Sequence, residues 1–127
     1  MKNTDDIESY LIGMDASFEA IGDNIWVVKD SGPDIVVSIA GPLVVFRVKL
    51  LDDDKVPDER RRDLYRSLLE LNATEMIHGA YGLEEGAIVA TAALELENLD
   101  LNEFQASIED LGMAVSKHYQ QLGRFAA

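Results

Sequence analysis

The chain has no cysteine among its 127 residues. That absence removes disulfides, thiol nucleophiles and thiolate metal sites together, and it makes a reducing cytoplasm the natural compartment. Histidine is scarce, with two residues, and positive charge is low: 11 Lys and Arg stand against 24 Asp and Glu, a formal net charge of −13. A nucleic-acid backbone or an anionic lipid surface needs clustered cations, so the balance argues against both partners. Long apolar runs are also missing. The longest uncharged, mostly apolar stretch, Gly86 to Leu94, falls short of the roughly 20 residues that span a bilayer. The opening Met1-Lys2-Asn3-Thr4-Asp5-Asp6 puts two acids where a signal peptide carries basic and then apolar residues, so Asn72-Ala73-Thr74 is read as a chance sequon. No repeat, low-complexity tract or long linker divides the chain. With 47% hydrophobic and 28% charged residues, the expectation is one globular domain over residues 1–127.

What is present is a series of changes in apolar period. Thr4 is the expected cap of a first helix carrying Ile7, Leu11 and Met14 at i, i+4, i+7 spacing, with Asp5, Asp6 and Glu8 in its first turn. Phe18–Ile21 and Ile25–Lys29 read as a hairpin across Gly22-Asp23-Asn24. Asp30-Ser31-Gly32-Pro33-Asp34 is a loop, Ile35–Ala40 a third strand, and Leu43–Leu51 the fourth after the Gly41-Pro42 break. In that strand Val44, Phe46, Val48 and Leu50 share one face and Arg47 and Lys49 the other.

A second helix is expected from Pro57-Asp58-Glu59 to about Asn72, with Leu64, Leu68 and Leu71 inward and its densest positive charge at Arg60, Arg61, Arg62 and Arg66. Met76–Leu83 reads as a strand, Glu84-Glu85-Gly86 as a turn and Ala87–Glu97 as the last strand. Asp100 with Glu103 opens a final helix carrying Leu101, Phe104, Ile108, Leu111, Val115, His118 or Tyr119, and Leu122. The order α-β-β-β-β-α-β-β-α with short connections implies an α+β fold, an antiparallel sheet with flanking helices. Val28, Val36, Val45 and Val89 fall opposite the positions assigned inward, so a second apolar sheet face awaits either the second helix or another chain.

Residues that could carry chemistry are few. Asp52, Asp54 and Asp58 suggest a calcium loop, yet Val56, Pro57 and Asp63 occupy the positions that need a polar ligand, a glycine and a bidentate Glu. A solvated acidic loop is the simpler reading. Gly79-Ala80-Tyr81-Gly82 has a GxxG form without nearby cations, which favours close backbone packing over RNA binding. His78 and His118 lie 40 residues apart and can meet in space, but two imidazoles alone make a poor metal site. No serine stands in a nucleophile-elbow context. The expectation is therefore no catalytic residue, no cofactor and no metal. The arginines of the second helix are interleaved with Asp58, Glu59, Asp63 and Glu70 at pairing distance. Trp26 is either a core residue or an exposed anchor for a partner. The candidate partner or dimer interface is accordingly Trp26, Val28, Val36, Val45 and Val89.

Longer strings carry a resemblance. Phe18-Glu19-Ala20-Ile21 with Ile25-Trp26-Val27-Val28, Ile35 to Pro42 with Val45-Phe46-Arg47-Val48, Leu71-Asn72-Ala73 leading into His78-Gly79-Ala80-Tyr81-Gly82-Leu83-Glu84, and Leu94 to Asp100 with Asn102 to Ala106 resemble the YbjN-like family. That family is similar in fold to the class I type III secretion chaperones (the Tir-chaperone-like fold), small acidic cytosolic homodimers that hold an extended segment of a client. The resemblance spans about residues 4–122 and implies a protein-binding, chaperone-like or regulatory role, with no catalytic residue carried over. Two other readings stay open. One is a small-ligand sensor or enzyme with a pocket between the sheet and the last helix, where Gly79, Gly82, Ala90 and Ala92 leave room; the other is a subunit of a larger assembly. Net charge is −4 over residues 1–50, −2 over 51–74 and −7 over 75–127, so self-association is expected away from the acidic C-terminal region.

Overall fold

The computed structural model describes residues 2–29 and 32–126; Asp30 and Ser31 of the expected loop lie outside the described residues. Helix α1 is Thr4–Gly13, and strands β1 to β4 are Phe18–Gly22, Ile25–Val28, Ile35–Ala40 and Leu43–Asp52. A short 3-10 turn at Asp53–Lys55 leads into α2, Asp58–Thr74. Strands β5 (Ala80–Glu84) and β6 (Ala87–Glu95) precede α3 (Leu101–Gly123), which ends in a 3-10 turn at Arg124–Ala126. The six strands form one antiparallel sheet in the order β1-β2-β3-β4-β6-β5, with β1 and β5 as its edges. This is the α+β class expected.

Local chemistry explains the boundaries. Asn3, not Thr4, caps α1. Its side chain accepts from the Asp5 and Asp6 amides at 3.0 and 3.2 Å, and the Asp6 carboxylate accepts from the Asn3 amide, closing a capping box. The Thr4 hydroxyl bonds instead to Asn24 in the β1–β2 turn, tying α1 to the first hairpin. Asp100 caps α3 by accepting from the Glu103 amide at 2.8 Å. Glu85 and Gly86 both have positive φ, 48° and 79°, which is the backbone of a type I′ hairpin turn between β5 and β6.

Strand β2 ends one residue before the expected Lys29, and two other expected strands are shortened by more. Residues 76–79 do not join the sheet, because the Met76 amide still bonds the Leu71 carbonyl at the end of α2. At the other end, β6 stops at Glu95. The Leu96 amide turns to Pro42 and Asn98 adopts φ 64°, directing the chain into the α3 cap.

All three helices pack on one side of the sheet. Ile7 and Leu11 of α1, Leu64, Leu68 and Leu71 of α2, and Phe104, Ile108, Leu111, Val115 and Leu122 of α3 share one cluster with Val37, Val44, Phe46, Val48, Ile88 and Ala90. Phe104 meets Phe46 edge-on at 5.4 Å and Tyr10 at 5.5 Å between ring centres. At 23 residues α3 is about 34 Å long, enough to cross the sheet. The second helix therefore does not cover the opposite face.

Candidate functional site: the open sheet face and its edges

Strand register sorts the five expected interface residues into two groups. Trp26 pairs with Val37 and Val28 with Ile35, so both point to the helix side, where each is 1% exposed. The Trp26 indole N–H donates to Glu8 of α1 at 3.1 Å. These two are core residues and offer nothing to a partner, which corrects the expectation for them. Val36, Val45 and Val89 belong to the other phase. Val36 pairs with Val27 and Arg47, Val45 with Ser38 and Ala93, and Val89 with Lys49 and Gly82. They share a face that no described helix covers. Val27, Val36 and Val45 are half-buried there, Val89 is 5% exposed, and Val36 and Lys49 also line a cavity with Ser116, Tyr119 and Gln120 of α3.

The rim of that face is charged and internally paired. Arg47 bonds Glu84 across β4, β6 and β5 at 3.0 Å, and Lys49 bonds Asp52 at 2.7 Å. The Lys49 ammonium, as hydrogen-bond donor and nearby charge, holds the Asp52 carboxyl below its usual range. The face is thus an apolar strip framed by salt bridges. At its flanks the edge strands β1 and β5 carry exposed Ile21 and Leu83, and α2 caps part of the β5 edge: the Tyr81 amide donates to the Asn72 side chain at 2.7 Å and the Asn72 side-chain amide donates to the Tyr81 carbonyl at 3.1 Å.

The remaining candidates resolve individually. The acidic loop splits its carboxylates between separate partners: Asp52 takes Lys49 and Lys55, while Asp53 accepts from the Tyr65 hydroxyl at 2.6 Å. Among the described residues no three His, Asp or Glu side chains converge as a metal site. Arg61 pairs with Asp58 at 2.7 Å and Arg66 with Glu70 at 3.0 Å, the internal pairing that the spacing predicts. A Cβ on Gly79 would stand 2.5 Å from the Thr91 carbonyl oxygen and 3.2 Å from Leu111 of α3, so close backbone approach accounts for this glycine; Gly82 has open space.

One arrangement escaped sequence reasoning. His78 and His118 line a single pocket, about 320 Å³, between the segment Glu75–Gly79 and α3. Tyr81 and His118 Nδ1 are hydrogen-bonded at 2.8 Å, His118 Nε2 is 3.5 Å from Glu75, Lys117 bonds Glu75 at 2.5 Å, and His78 Nδ1 is 2.5 Å from Asp110. The hydrogen bond from Lys117, with the His118 ring beside it, holds the Glu75 carboxyl below its usual range. Burial, with the Glu75 charge, pushes the Tyr81 hydroxyl up to about 12, so it keeps its proton. The spacing signalled only that the two histidines could meet. What joins them is the return of α3 along the end of α2.

Among the described residues no helix is long and apolar enough to cross a membrane. Comparison with solved structures finds the same fold in YbjN from E. coli, described as a putative transcription regulator: TM-score 0.69, 14% identity, covering 94% of this chain and 93% of that one. The heterodimeric ExoU–SpcU complex of the Pseudomonas aeruginosa type III secretion system matches with TM-score 0.66 and 17% identity, over 91% and 93% of the two chains. The HopA1–SchA chaperone–effector complex matches with TM-score 0.62 and 12% identity, over 89% and 88%. No curated protein matches the chain in sequence. The CesT_Tir_1 family profile covers residues 1–127, and the chain belongs to that family.

Proposed function

We propose that this protein is a non-enzymatic, cytoplasmic binding module, chaperone-like or regulatory, that acts as a homodimer and shields a segment of a partner protein. The observation that carries the reading is the apolar strip of Val27, Val36 and Val45 on the face opposite the helices, next to the β1 edge of the sheet. An extended partner segment gains main-chain hydrogen bonds at a strand edge and side-chain contacts on the adjoining face. Family membership and the chaperone–effector complex among its structural relatives support a protein as the partner. The acidic surface keeps unrelated acidic chains away and leaves the apolar strip as the adhesive region.

Size-exclusion chromatography with light scattering tests the assembly. The expected mass is twice the 14.0 kDa of the chain. A monomer at every concentration would remove the homodimer. Capture from native lysate by wild type and by a Val36→Lys/Val45→Lys variant tests the surface. Both positions are half-buried on a wet face, so the variant keeps near wild-type stability and loses the captured protein. Equal capture by the two would rule this face out as the docking surface.

A further inference from the structure

The pocket between Glu75–Gly79 and α3 lies on the helix side of the sheet, away from the strip assigned above to a partner, and has the volume of a small-molecule site. Its body is apolar, with Met76, Ile77, Leu111 and Met113, and it carries one carboxylate on each wall, Glu75 and Asp110. Each carboxylate is capped by a solvent-facing side chain: Lys117 on Glu75 and His78 on Asp110, with side chains 70% and 46% exposed. Exposed pairs of this kind contribute little net stability, so the caps exchange readily for another cation. Beneath them His118 is 2% exposed, and its Nε2 has no hydrogen-bond partner.

We propose that this pocket binds a small primary amine with an apolar body, whose ammonium takes the place of Lys117 on Glu75. Glu75 Oε1 and His118 Nε2 are 3.5 Å apart, so one nitrogen reaches both at an ordinary hydrogen-bond length of about 2.9 Å. The ligand thereby supplies the hydrogen bond the buried imidazole lacks. His118 then carries its proton on Nδ1 and donates it to the Tyr81 oxygen, 2.8 Å away, while Nε2 accepts from the ammonium. The apolar walls take the ligand's hydrocarbon. A carboxylate of the same shape would meet Glu75 and Asp110 within a region of net charge −7, and an alcohol would gain no charge contact.

Calorimetric titration of the untagged chain with hexylamine, hexanol and hexanoate separates these cases, because the three share one body and differ in the head. Methyl NMR shifts at Met76 and Met113 locate the site. The expected result is one saturable hexylamine per chain, at least about tenfold tighter than either of the others. Glu75→Gln weakens hexylamine by about tenfold or more by removing the anion, and Lys117→Met strengthens it by removing the competing ammonium. Both substitutions are at partly or largely exposed side chains, so the test does not depend on replacing the buried His118. Hexanol binding as tightly as hexylamine, an unchanged affinity in Glu75→Gln, or no saturable binding would each overturn the proposal.

Discussion

At Gly79 a single hydrogen in place of a side chain lets the segment after α2 lie against the β6 backbone. Gly79→Ala forces its Cβ against the Thr91 carbonyl, which cannot swing aside as a side-chain tip can. The variant is expected to lose about 1–3 kcal/mol, read as a lower urea midpoint with an unchanged m-value. The same segment carries a pH signature. The folded-state pKa of Glu75 lies below its unfolded value, so its contribution is present above the usual carboxylate range and is lost as pH falls through the folded pKa. Asp52 acts with the same sign through Lys49. Stability should therefore fall on acidification below about pH 4–5, and Glu75→Gln should flatten that fall in urea titrations at a series of pH values. The sequence could not disclose this group of residues, because Glu75, His78, Asp110 and His118 are neighbours only once α3 has folded back.

Among the elements, those with an internal polar reference were readable and those without were not. In β4, Arg47 and Lys49 alternate with Phe46 and Val48, and the structure keeps that phase. In β2 and β3 the doublets Val27-Val28 and Val36-Val37 are apolar at both phases, so alternation has nothing polar to anchor it. Val28 consequently read as outward although it belongs to the core, while Val36 was assigned correctly. The helices were legible from their apolar stripes and their acidic first turns. The strand expected at residues 76–79 was not, because its β-prone composition is overridden by the bond from Met76 back into α2. The cap of α3 has a measurable weight. Asp100→Ala removes the acceptor of the Glu103 amide and should cost about 1 kcal/mol, seen as a lower midpoint in thermal or urea unfolding.

For the whole molecule, the described helices all lie on one side of the sheet, and its other side carries the apolar strip. Net charge of −13 opposes the approach of two copies, whereas the apolar strip favours it. Added salt screens the first force and leaves the second, with a Debye length shrinking from about 10 Å at 0.1 M to about 3 Å at 1 M. Self-association is therefore expected to tighten from low to high salt in sedimentation or light scattering. An interface held mainly by ion pairs would show the opposite trend.

The pairing of β4 with β6 has a consequence for how the protein is made. The four-strand meander β1 to β4 is complete by Asp52, but α1 covers only part of its inner face, and Phe104, Ile108, Leu111 and Val115 cover the rest only when α3 arrives. A nascent chain on the ribosome thus carries a partly roofed sheet through the synthesis of some 50 further residues. Folding waits for the last helix, and during that interval the half-made protein is itself a candidate for protection by others.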